Sequence, residues 1–438
     1  MPQVAADTLI EADWVLPIEP SRQVLNAHAL VIKQGRIAAI LPIAEAREQY
    51  APRQTFNLKG HVLIPGLINL HTHAAMTLLR GVADDRPLME WLSNYIWPLE
   101  KQYVSHEFVR DGTLLACAEL LRGGVTCFND MYFFPEATVE AVLLSRMRAG
   151  IGMVVIELAT AYARNADEYL AKGFNLRDQY LDHPLLRFCV APHGPYMVSD
   201  RSFEKIAAQT AETMTPLHIH IHETAAEVTQ SIEKYGVRPL ARLNQFGLLS
   251  PSFLGVHAVH LLPEEIDLLA RYGSHIAHCP TSNLKLASGM APVAQMLEEH
   301  INVGLGTDGA ASNNKLDMFG EMRLAALLAK GLNRADSLHA HQALEMATIN
   351  AACALGWQKE IGSLTIGKLA DIAAVDLSEI ETTPTYDVAA QLVYTAGREN
   401  VSHVWVNGEL VMEKRKLTYC DNADLKARAN YWREILKP

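Results

Sequence analysis

Eight short apolar runs alternate with longer segments of helical period through the middle of the chain. In chain order the runs read VLIPGLINL, GVTCFND, IGMVVIEL, LRFCVAP, PLHIHIH, FLGVHAV, SHIAHCP and INVGLGTD. The segments between them include EFVRDGTLLACAELLRGG, PEATVEAVLLSRMRAG and PVAQMLEEH. Such alternation predicts parallel strands joined by crossover helices. Eight repeats over about 240 residues fit a (β/α)8 barrel of the TIM type, with an open doubly wound sheet as the alternative.

The two ends of the chain have a different pattern. HALVIKQGRIAAI places two apolar runs around Gln34 and Gly35, and VSHVWVNGELVME does the same around Asn407 and Gly408. Both patterns indicate β-hairpins, and Asn-Gly is the strongest short signal for one. We therefore predict a small flanking β-sandwich built from residues 1–61 and 366–438, beside a barrel of residues 62–365.

Composition narrows the class of protein. A net charge of −11 argues against nucleic acid as a partner, because phosphate contacts need clustered lysine and arginine. The six cysteines form no C-x-x-C pair, which is typical of a reducing compartment. The N-terminal stretch lacks the pattern of a signal peptide, and no run of about 18 apolar residues could span a membrane. These features predict a soluble cytoplasmic protein.

Polar residues gather where the eight runs end, which in a barrel is where the chemistry lies. They are His71 and His73, Asn129 and Asp130, Glu157, His193, the histidines of LHIHIHETAAE, His257 and His260, His278, and Asp308. An H-x-H pair alone is more often a pair of surface or core histidines. Repeated at successive strand ends and joined by a carboxylate, such residues predict a zinc site, because zinc binds imidazole nitrogen and carboxylate oxygen.

The fifth run contains three histidines at alternate positions, His218, His220 and His222. Alternate residues of a strand share one face, so spacing does not decide whether His220 or His222 binds the metal. Glu223 follows directly. It is either a catalytic carboxylate or a first-turn acid that stabilises the helix predicted for AAEVTQSIEKY.

A competing motif, GLGTDG at residues 304–309, matches the dinucleotide fingerprint G-x-G-x-x-G. That fingerprint should open a βαβ unit, whereas here it closes the series of strands. The glycines are better explained by a tight turn that directs Asp308 into the barrel mouth. The P-loop, the G-x-S-x-G motif and the H-x-E with P-C-x-x-C motif of other nucleobase deaminases are absent from the sequence.

Four stretches together resemble the amidohydrolase superfamily and, more closely, its 5'-methylthioadenosine/S-adenosylhomocysteine deaminases. They are PGLINLHTHAAMTLLRG, the HET after run five, HCPTSNLKLASGMAPV and GLGTDGAASNN. The resemblance covers nearly the whole chain, including the flanking β-sandwich. It implies a (β/α)8 barrel that holds one divalent metal per subunit, usually zinc. Run four ends VAPHGPY without the lysine that bridges two metals in other branches, which also favours a single metal.

The resemblance implies a role for each of these residues. The metal ligands it implies are His71, His73, His220 and Asp308. The catalytic residues it implies are Glu223 as acid and base, His257 beside the attacking water, and Asp308 as proton acceptor. The substrate contacts it implies are Trp91, Glu100, His193, Glu223 and Asp308. His218 would then be a core histidine one layer deeper, and His222 would lie in the loop near the pocket. Without the resemblance, Glu100 reads as a surface acid at the start of a helix.

The implied reaction is zinc-dependent hydrolytic deamination at C6 of an adenine nucleoside. We expect 5'-methylthioadenosine as substrate, with S-adenosylhomocysteine, adenosine and 5'-deoxyadenosine as further candidates. S-adenosylhomocysteine should be poor, because Glu157 would repel its carboxylate and Arg164 lies close to other acids. The alternatives are a guanine or other aminopurine deaminase, a triazine hydrolase, and a barrel that senses a ligand without turnover. The resemblance also implies a homo-oligomer.

Overall fold

The computed structural model describes residues 3–436, which form a parallel barrel and a separate mixed β-sheet. In chain order its strands are β1 (Val4–Val15), β2 (Leu25–Lys33), β3 (Arg36–Pro42), β4 (Tyr50–Pro65), β5 (Leu67–Thr72), β6 (Val125–Tyr132), β7 (Arg148–Val155), β8 (Leu186–Pro192), β9 (Leu217–Ile221), β10 (Phe253–His257), β11 (His275–His278), β12 (Asn302–Leu305), β13 (Ile372–Asp376), β14 (Val401–Val406), β15 (Glu409–Glu413) and β16 (Lys416–Leu417).

Helices follow most of the barrel strands and cover the outside of the barrel. The α-helices span Ile43–Gln49, Leu88–Trp91, Trp97–Tyr103, His106–Arg122, Pro135–Ser145, Ala166–Gln179, Asp200–Thr213, Ala225–Tyr235, Pro239–Gln245, Pro263–Tyr272, Pro280–Lys285, Val293–Glu298, Ala310–Asn313, Met318–Leu332, Ala340–Met346, Ile349–Ala354, Val388–Tyr394 and Asn422–Ile435. Short segments of 3₁₀ or π type span Ala74–Leu79, Leu92–Ile96, Pro195–Met197, Ile380–Thr382 and Arg398–Asn400. None of these helices within residues 3–436 is both long and apolar enough to cross a membrane.

The barrel consists of β5 to β12, which pair in sequence order as a parallel sheet. All eight apolar runs of the sequence supply one strand each. The first and last strands meet where the backbone N–H of Asp308 donates to the carbonyl of His71 at 3.0 Å. Below that contact, the Asn69 amide donates to the Thr307 hydroxyl at 2.7 Å and accepts from the Thr307 backbone N–H at 3.0 Å. These bonds confirm the predicted barrel and exclude the open doubly wound sheet.

The second sheet draws its strands from both ends of the chain, as predicted. Its order is β16-β15-β14-β13-β4-β1-β2-β3. Both predicted hairpins form, with positive φ at Gln34 and Gly35 and again at Asn407 and Gly408, as tight primed turns require. The chain passes from sheet to barrel at residue 66, directly between β4 and β5. The domain limits 1–61, 62–365 and 366–438 stay a prediction.

A buried ion pair joins the two units. Arg148, the first residue of β7, donates Nε and Nη2 to the two oxygens of Asp371 at 3.0 and 3.2 Å. Asp371 also accepts the backbone N–H of Asn407 at 2.7 Å. Because Arg148 begins its strand, the sheet docks at the amino-terminal end of the barrel, away from the carboxyl ends of the strands, where the polar residues gather.

Candidate metal centre and active site

A cavity of about 240 Å³ opens at the carboxyl ends of the barrel strands. It is lined by nearly every residue for which the sequence predicts a role: His73, Trp91, Glu100, His193, His220, Glu223, His257 and Asp308. His71 lies just below this lining and is fully buried. The structure therefore brings the predicted metal, catalytic and substrate residues to one place.

The four predicted ligands offer atoms that lie within 4.8 Å of one another. The Nε2 atom of His220 is 3.1 Å from that of His71 and 3.3 Å from that of His73. The Asp308 Oδ1 atom is 3.4 and 3.3 Å from the same nitrogens of His71 and His73. Three imidazole nitrogens and a carboxylate oxygen facing a common point are the donor set of a catalytic zinc site.

The other ring nitrogens of these histidines are already bonded. Nδ1 of His73 donates to the carbonyl of Met131 at 2.6 Å, and Nδ1 of His220 donates to the carbonyl of His193. Nδ1 of His71 lies 3.0 Å from Nε2 of His218. Such outer partners fix the tautomer and leave Nε2 free for a metal, so the residues present fit zinc.

Burial keeps the imidazoles of His71 and His220 neutral. It lowers the pKa of His71 to about 4 and that of His220 well below its usual range. Burial opposes ionisation of Asp308, yet bonds and charge from His71 and His73 hold the pKa of this carboxyl well below its ordinary value. Neutral imidazoles and an ionised carboxylate are the forms that bind a divalent cation.

The structure distinguishes the histidines of the fifth strand. β9 ends at Ile221, and His222 has a φ of +52°, so the alternation breaks there. The His222 ring turns away from the cavity and accepts the backbone N–H of Leu240 at 3.1 Å. His222 therefore does not line the pocket, which differs from the position near the pocket that the sequence suggested. His218 lies one layer below the ligands, with its Nδ1 3.1 Å from the Asn129 amide nitrogen.

Hydroxyl groups hold Asp308 in place. Ser282 and Ser312 each donate to its Oδ2 at 2.7 Å, and the backbone N–H of Gly309 donates to Oδ1 at 2.7 Å. Gly306 lets the chain pass this close to the first strand, because a Cβ at that position would lie 2.9 Å from His71. Sequence reasoning missed both serines. They stand in motifs that carry the resemblance, but their spacing does not mark them as partners of Asp308.

Glu223 and His257 face each other at the mouth of the site. The Glu223 Oε1 atom lies 3.9 Å from the His257 Nε2 atom. Burial raises the pKa of Glu223, which brings a carboxyl group closer to the range where it can both give and take a proton near neutral pH. Nδ1 of His257 lies 2.8 Å from the Asn283 side-chain oxygen, so Asn283 orients this ring. Asn283 is another partner that the sequence analysis did not identify.

The predicted substrate contacts lie farther along the cavity. Glu100 accepts the hydroxyl of Tyr132 at 2.7 Å, and burial raises the pKa of Glu100 to about 7. Trp91 is fixed by a bond from its Nε1 to the carbonyl of Val82 at 3.0 Å. Nδ1 of His193 is buried and has no hydrogen-bond partner within residues 3–436. The His193 side chain lines the cavity together with Trp91 and Glu100.

Other polar residues at the strand ends serve the fold. Asp130 accepts the Ala74 backbone N–H at 2.7 Å and shapes the turn after His73. His260 bonds the carbonyl of Ser288 at 2.8 Å. His278 is buried outside the lining of the cavity.

Glu157 does not point into the pocket. It accepts the backbone N–H of Ser199 at 2.9 Å and the hydroxyl of Ser202 at 2.7 Å, at the start of the helix Asp200–Thr213. Arg164 is exposed and bonded to Glu168 at 2.8 Å. The expectation that Glu157 repels a substrate carboxylate is therefore wrong, because the side chain binds the next helix.

The outer wall of the cavity is mainly apolar and aromatic. Its members include Ile156, Leu158, Phe133, Phe134 and Tyr162. Within residues 3–436, the lining holds one lysine, Lys101, and no arginine. Lys101 is exposed and forms no ion pair in this part of the chain. The cavity thus offers a polar, metal-binding floor and a mostly uncharged wall.

Three histidines and a carboxylate that converge at the carboxyl end of a (β/α)8 barrel define a metal-dependent hydrolase. A sequence profile of the amidohydrolase family matches residues 62–411, and the chain belongs to that family. It is 47% identical over 431 residues to a 5-methylthioadenosine/S-adenosylhomocysteine deaminase of Teredinibacter turnerae, covering 98% of each chain. It is 40% identical over 417 residues to a 5'-deoxyadenosine deaminase of Methanosarcina mazei, covering 95% of each. The structure of an adenosine deaminase from Xanthomonas campestris with bound zinc superimposes with a TM-score of 0.98 at 47% identity, covering all of both chains.

Proposed function

We propose that the protein deaminates an adenine nucleoside hydrolytically at C6, and that its principal substrate is 5'-methylthioadenosine, which becomes S-methyl-5'-thioinosine and ammonia. The observation that carries this proposal is the arrangement of Glu223 and His257 directly beside the four-ligand cluster, with Glu100 farther along the same cavity. The names of the relatives support it, since they are deaminases of related nucleosides.

Zinc held by His71, His73, His220 and Asp308 would supply the Lewis acidity that makes water a nucleophile near neutral pH. The remaining steps belong to the side chains. Asp308 accepts a proton from the attacking water, and Nε2 of His257 orients the attacking oxygen. Glu223 gives a proton to N1 of the purine, which makes C6 more electrophilic. The Glu223 carboxylate then takes the remaining hydroxyl proton of the tetrahedral adduct and passes it to the amino group, so that C6=O forms as the C6–N bond breaks and ammonia leaves. The proton that Asp308 accepted returns through solvent to Glu223, which restores both carboxyl groups. The products are the 6-oxopurine nucleoside and ammonia.

Glu100 favours a nucleoside over a free base. A carboxylate can accept hydrogen bonds from two vicinal hydroxyls, which a ribose has and a purine base lacks. Glu100 lines the same cavity as the metal ligands and is held by Tyr132. This placement argues against guanine, other free aminopurines and triazines as principal substrates.

The apolar wall favours a small uncharged 5' group. A thioether methyl suits contact with aromatic and aliphatic side chains such as Phe134, Tyr162 and Leu158. The homocysteine carboxylate of S-adenosylhomocysteine would find Lys101 as the one cationic side chain that lines the cavity within residues 3–436. We infer that 5'-methylthioadenosine and 5'-deoxyadenosine are preferred, and that S-adenosylhomocysteine is a weaker substrate.

We further propose that the protein acts in the cytoplasm as a homo-oligomer. All six cysteines are free thiols, four of them buried, which suits a reducing compartment.

One assay tests the function. Ammonia release should be measured with 5'-methylthioadenosine, 5'-deoxyadenosine, adenosine, S-adenosylhomocysteine, guanine and a chlorotriazine, with zinc content determined on the same sample. We expect the highest kcat/KM with 5'-methylthioadenosine and about one zinc per chain. A zinc-loaded protein that acts faster on guanine or the triazine would contradict the proposal, and one with no turnover would indicate a sensor.

The variant Glu223→Gln tests the mechanism. It should bind zinc normally and lose at least about 10²–10⁴-fold in kcat, the usual contribution of general acid–base catalysis. Near-normal rates would remove Glu223 from the proton transfers.

A further inference from the structure

Glu227 is a buried carboxylate in the helix Ala225–Tyr235, and it accepts hydrogen bonds from the backbone just before that helix. Its Oε1 accepts the backbone N–H of His222 at 3.0 Å, and its Oε2 accepts the backbone N–H of Glu223 at 2.8 Å. Glu227 is 6% exposed. Both of its oxygens therefore hold the backbone of His222 and Glu223, the two residues that follow β9, the strand of the metal ligand His220.

Helix capping does not account for this arrangement. The helix Ala225–Tyr235 is capped by Thr224, whose hydroxyl accepts the backbone N–H of Glu227 at 3.1 Å. In a capping box, the acid at the third helical position would bond the N–H of the capping residue itself. Here the acid reaches one and two residues farther back, past Thr224, to Glu223 and His222.

The segment it holds is strained. His222 has a φ of +52°, a left-handed conformation that is unfavourable for a residue with a side chain. This turn is what directs His222 away from the cavity and Glu223 into it. A strained turn persists only where surrounding bonds enforce it.

Burial of the Glu227 carboxyl group also lowers the stability of the fold. Its carboxylate forms no ion pair with any residue of 3–436, and burial raises its pKa to about 7 although the two N–H bonds act in the opposite direction. A buried ionisable group without a counter-ion destabilises a protein. Residues that destabilise the fold in this way are expected at functional sites.

We propose that Glu227 is a positioning residue for the reaction, which fixes the backbone of His222 and Glu223 and thereby aims the Glu223 carboxylate at the substrate. This inference rests on the proposed function, since Glu223 must be the proton carrier. Glutamate is required because both backbone N–H groups need an acceptor. Glutamine would offer one oxygen and place an NH₂ donor against the other N–H.

The test is the nearly isosteric variant Glu227→Gln, assayed with 5'-methylthioadenosine on zinc-loaded protein. We expect zinc content unchanged, KM within about twofold and kcat lower by about 10- to 100-fold. Tm should change little, because removal of the buried charge offsets the cost of the backbone N–H that is left without an acceptor. The matched control is Thr224→Ala, which removes the helix cap but keeps both bonds to Glu227. It should lower Tm and leave kcat per zinc within twofold.

A double-mutant cycle separates positioning from a general structural role. If Glu227 acts through Glu223, then adding Glu227→Gln to Glu223→Gln should cost less than threefold further in kcat. Independent, multiplicative losses would overturn the proposal, and so would a single Glu227→Gln variant whose kcat per zinc stays within twofold of the parent. If the parent protein itself does not turn over the nucleoside, the proposed function fails, and the placement of Glu223 can still be compared between parent and variant by crystallography.

Discussion

The substitution Glu100→Gln should stabilise the protein and at the same time lower its kcat/KM for the nucleoside substrate. Burial raises the pKa of Glu100 from 4.5 to about 7. A shift of about 2.5 pKa units corresponds to about 3 kcal/mol that the folded state loses when this carboxyl group ionises. Water in the open cavity screens part of this energy, so we expect about 1–2 kcal/mol. Glutamine keeps an acceptor for the Tyr132 hydroxyl but carries no charge.

The pH dependence has a definite sign. A carboxyl whose folded pKa is raised contributes its stability fully below pH 4.5 and loses it as pH rises through about 7. The variant has no such loss. Its advantage in Tm over the parent should therefore be small at pH 5 and reach a plateau of about 2 °C at pH 8. A Tm difference that is the same at both pH values, or one that favours the parent at pH 8, would refute the reasoning.

The functional cost follows from the same charge. A hydrogen bond to an ionised acceptor contributes about 1.5–3 kcal/mol. Losing it should reduce kcat/KM for 5'-methylthioadenosine by about 10- to 100-fold at pH 8. 2'-Deoxyadenosine, which lacks one of the two hydroxyls, should lose less than adenosine does. Equal losses for the two nucleosides would show that Glu100 does not contact the sugar.

The other predictions concern the metal, the 5' group and the joint between the two sheets. His220→Ala should lose the zinc and His222→Ala should keep it; the opposite result by metal analysis would mean that the wrong histidine has been assigned. Lys101→Gln should lower kcat/KM for S-adenosylhomocysteine several-fold and leave 5'-methylthioadenosine within twofold, whereas equal effects would exclude charge recognition. Asp371→Ala leaves Arg148 buried without its partner and should cost about 3–5 kcal/mol, seen as a lower Tm with unchanged kcat per zinc. A Tm equal to that of the parent would show that the pair is solvated.

Much of the fold could be read from hydrophobic period alone. The barrel strands are buried on both faces, so each appears in the sequence as a short apolar run. The hairpins are indicated by the turn residues Gln34-Gly35 and Asn407-Gly408. The metal ligands could be anticipated because strand ends of a parallel barrel converge. The choice of His220 over His222 needed the family motif, because the end of β9 at Ile221 carries no sequence signal.

The partners of the site residues could not be predicted from spacing. Ser282 and Asp308 are 26 residues apart, as are His257 and Asn283. They meet because the helix Pro280–Lys285, which follows β11, lies at the same mouth of the barrel as the ends of β10 and β12. Glu157 shows the converse error. The side chain follows a barrel strand, as a site residue should, yet the start of the next helix supplies better hydrogen-bond donors than the cavity does.

Backbone strain at this mouth explains why its supports are numerous. His222, His257 and Asp308 all have positive φ, at +52°, +72° and +63°, and none is glycine. Each such residue costs about 1–3 kcal/mol and keeps this conformation only where its surroundings enforce it. Each is held by at least one hydrogen bond: Glu227 accepts the His222 backbone N–H, Asn283 bonds the His257 ring, and the hydroxyls of Ser282 and Ser312 donate to the Asp308 carboxylate. The sequence motifs identify the metal ligands and the proton carriers, but the geometry of those residues depends on the hydrogen-bond partners that surround them. Variants of Glu227 and Asn283, which bond none of the four metal ligands, should therefore reduce the rate more than they reduce folding or metal content.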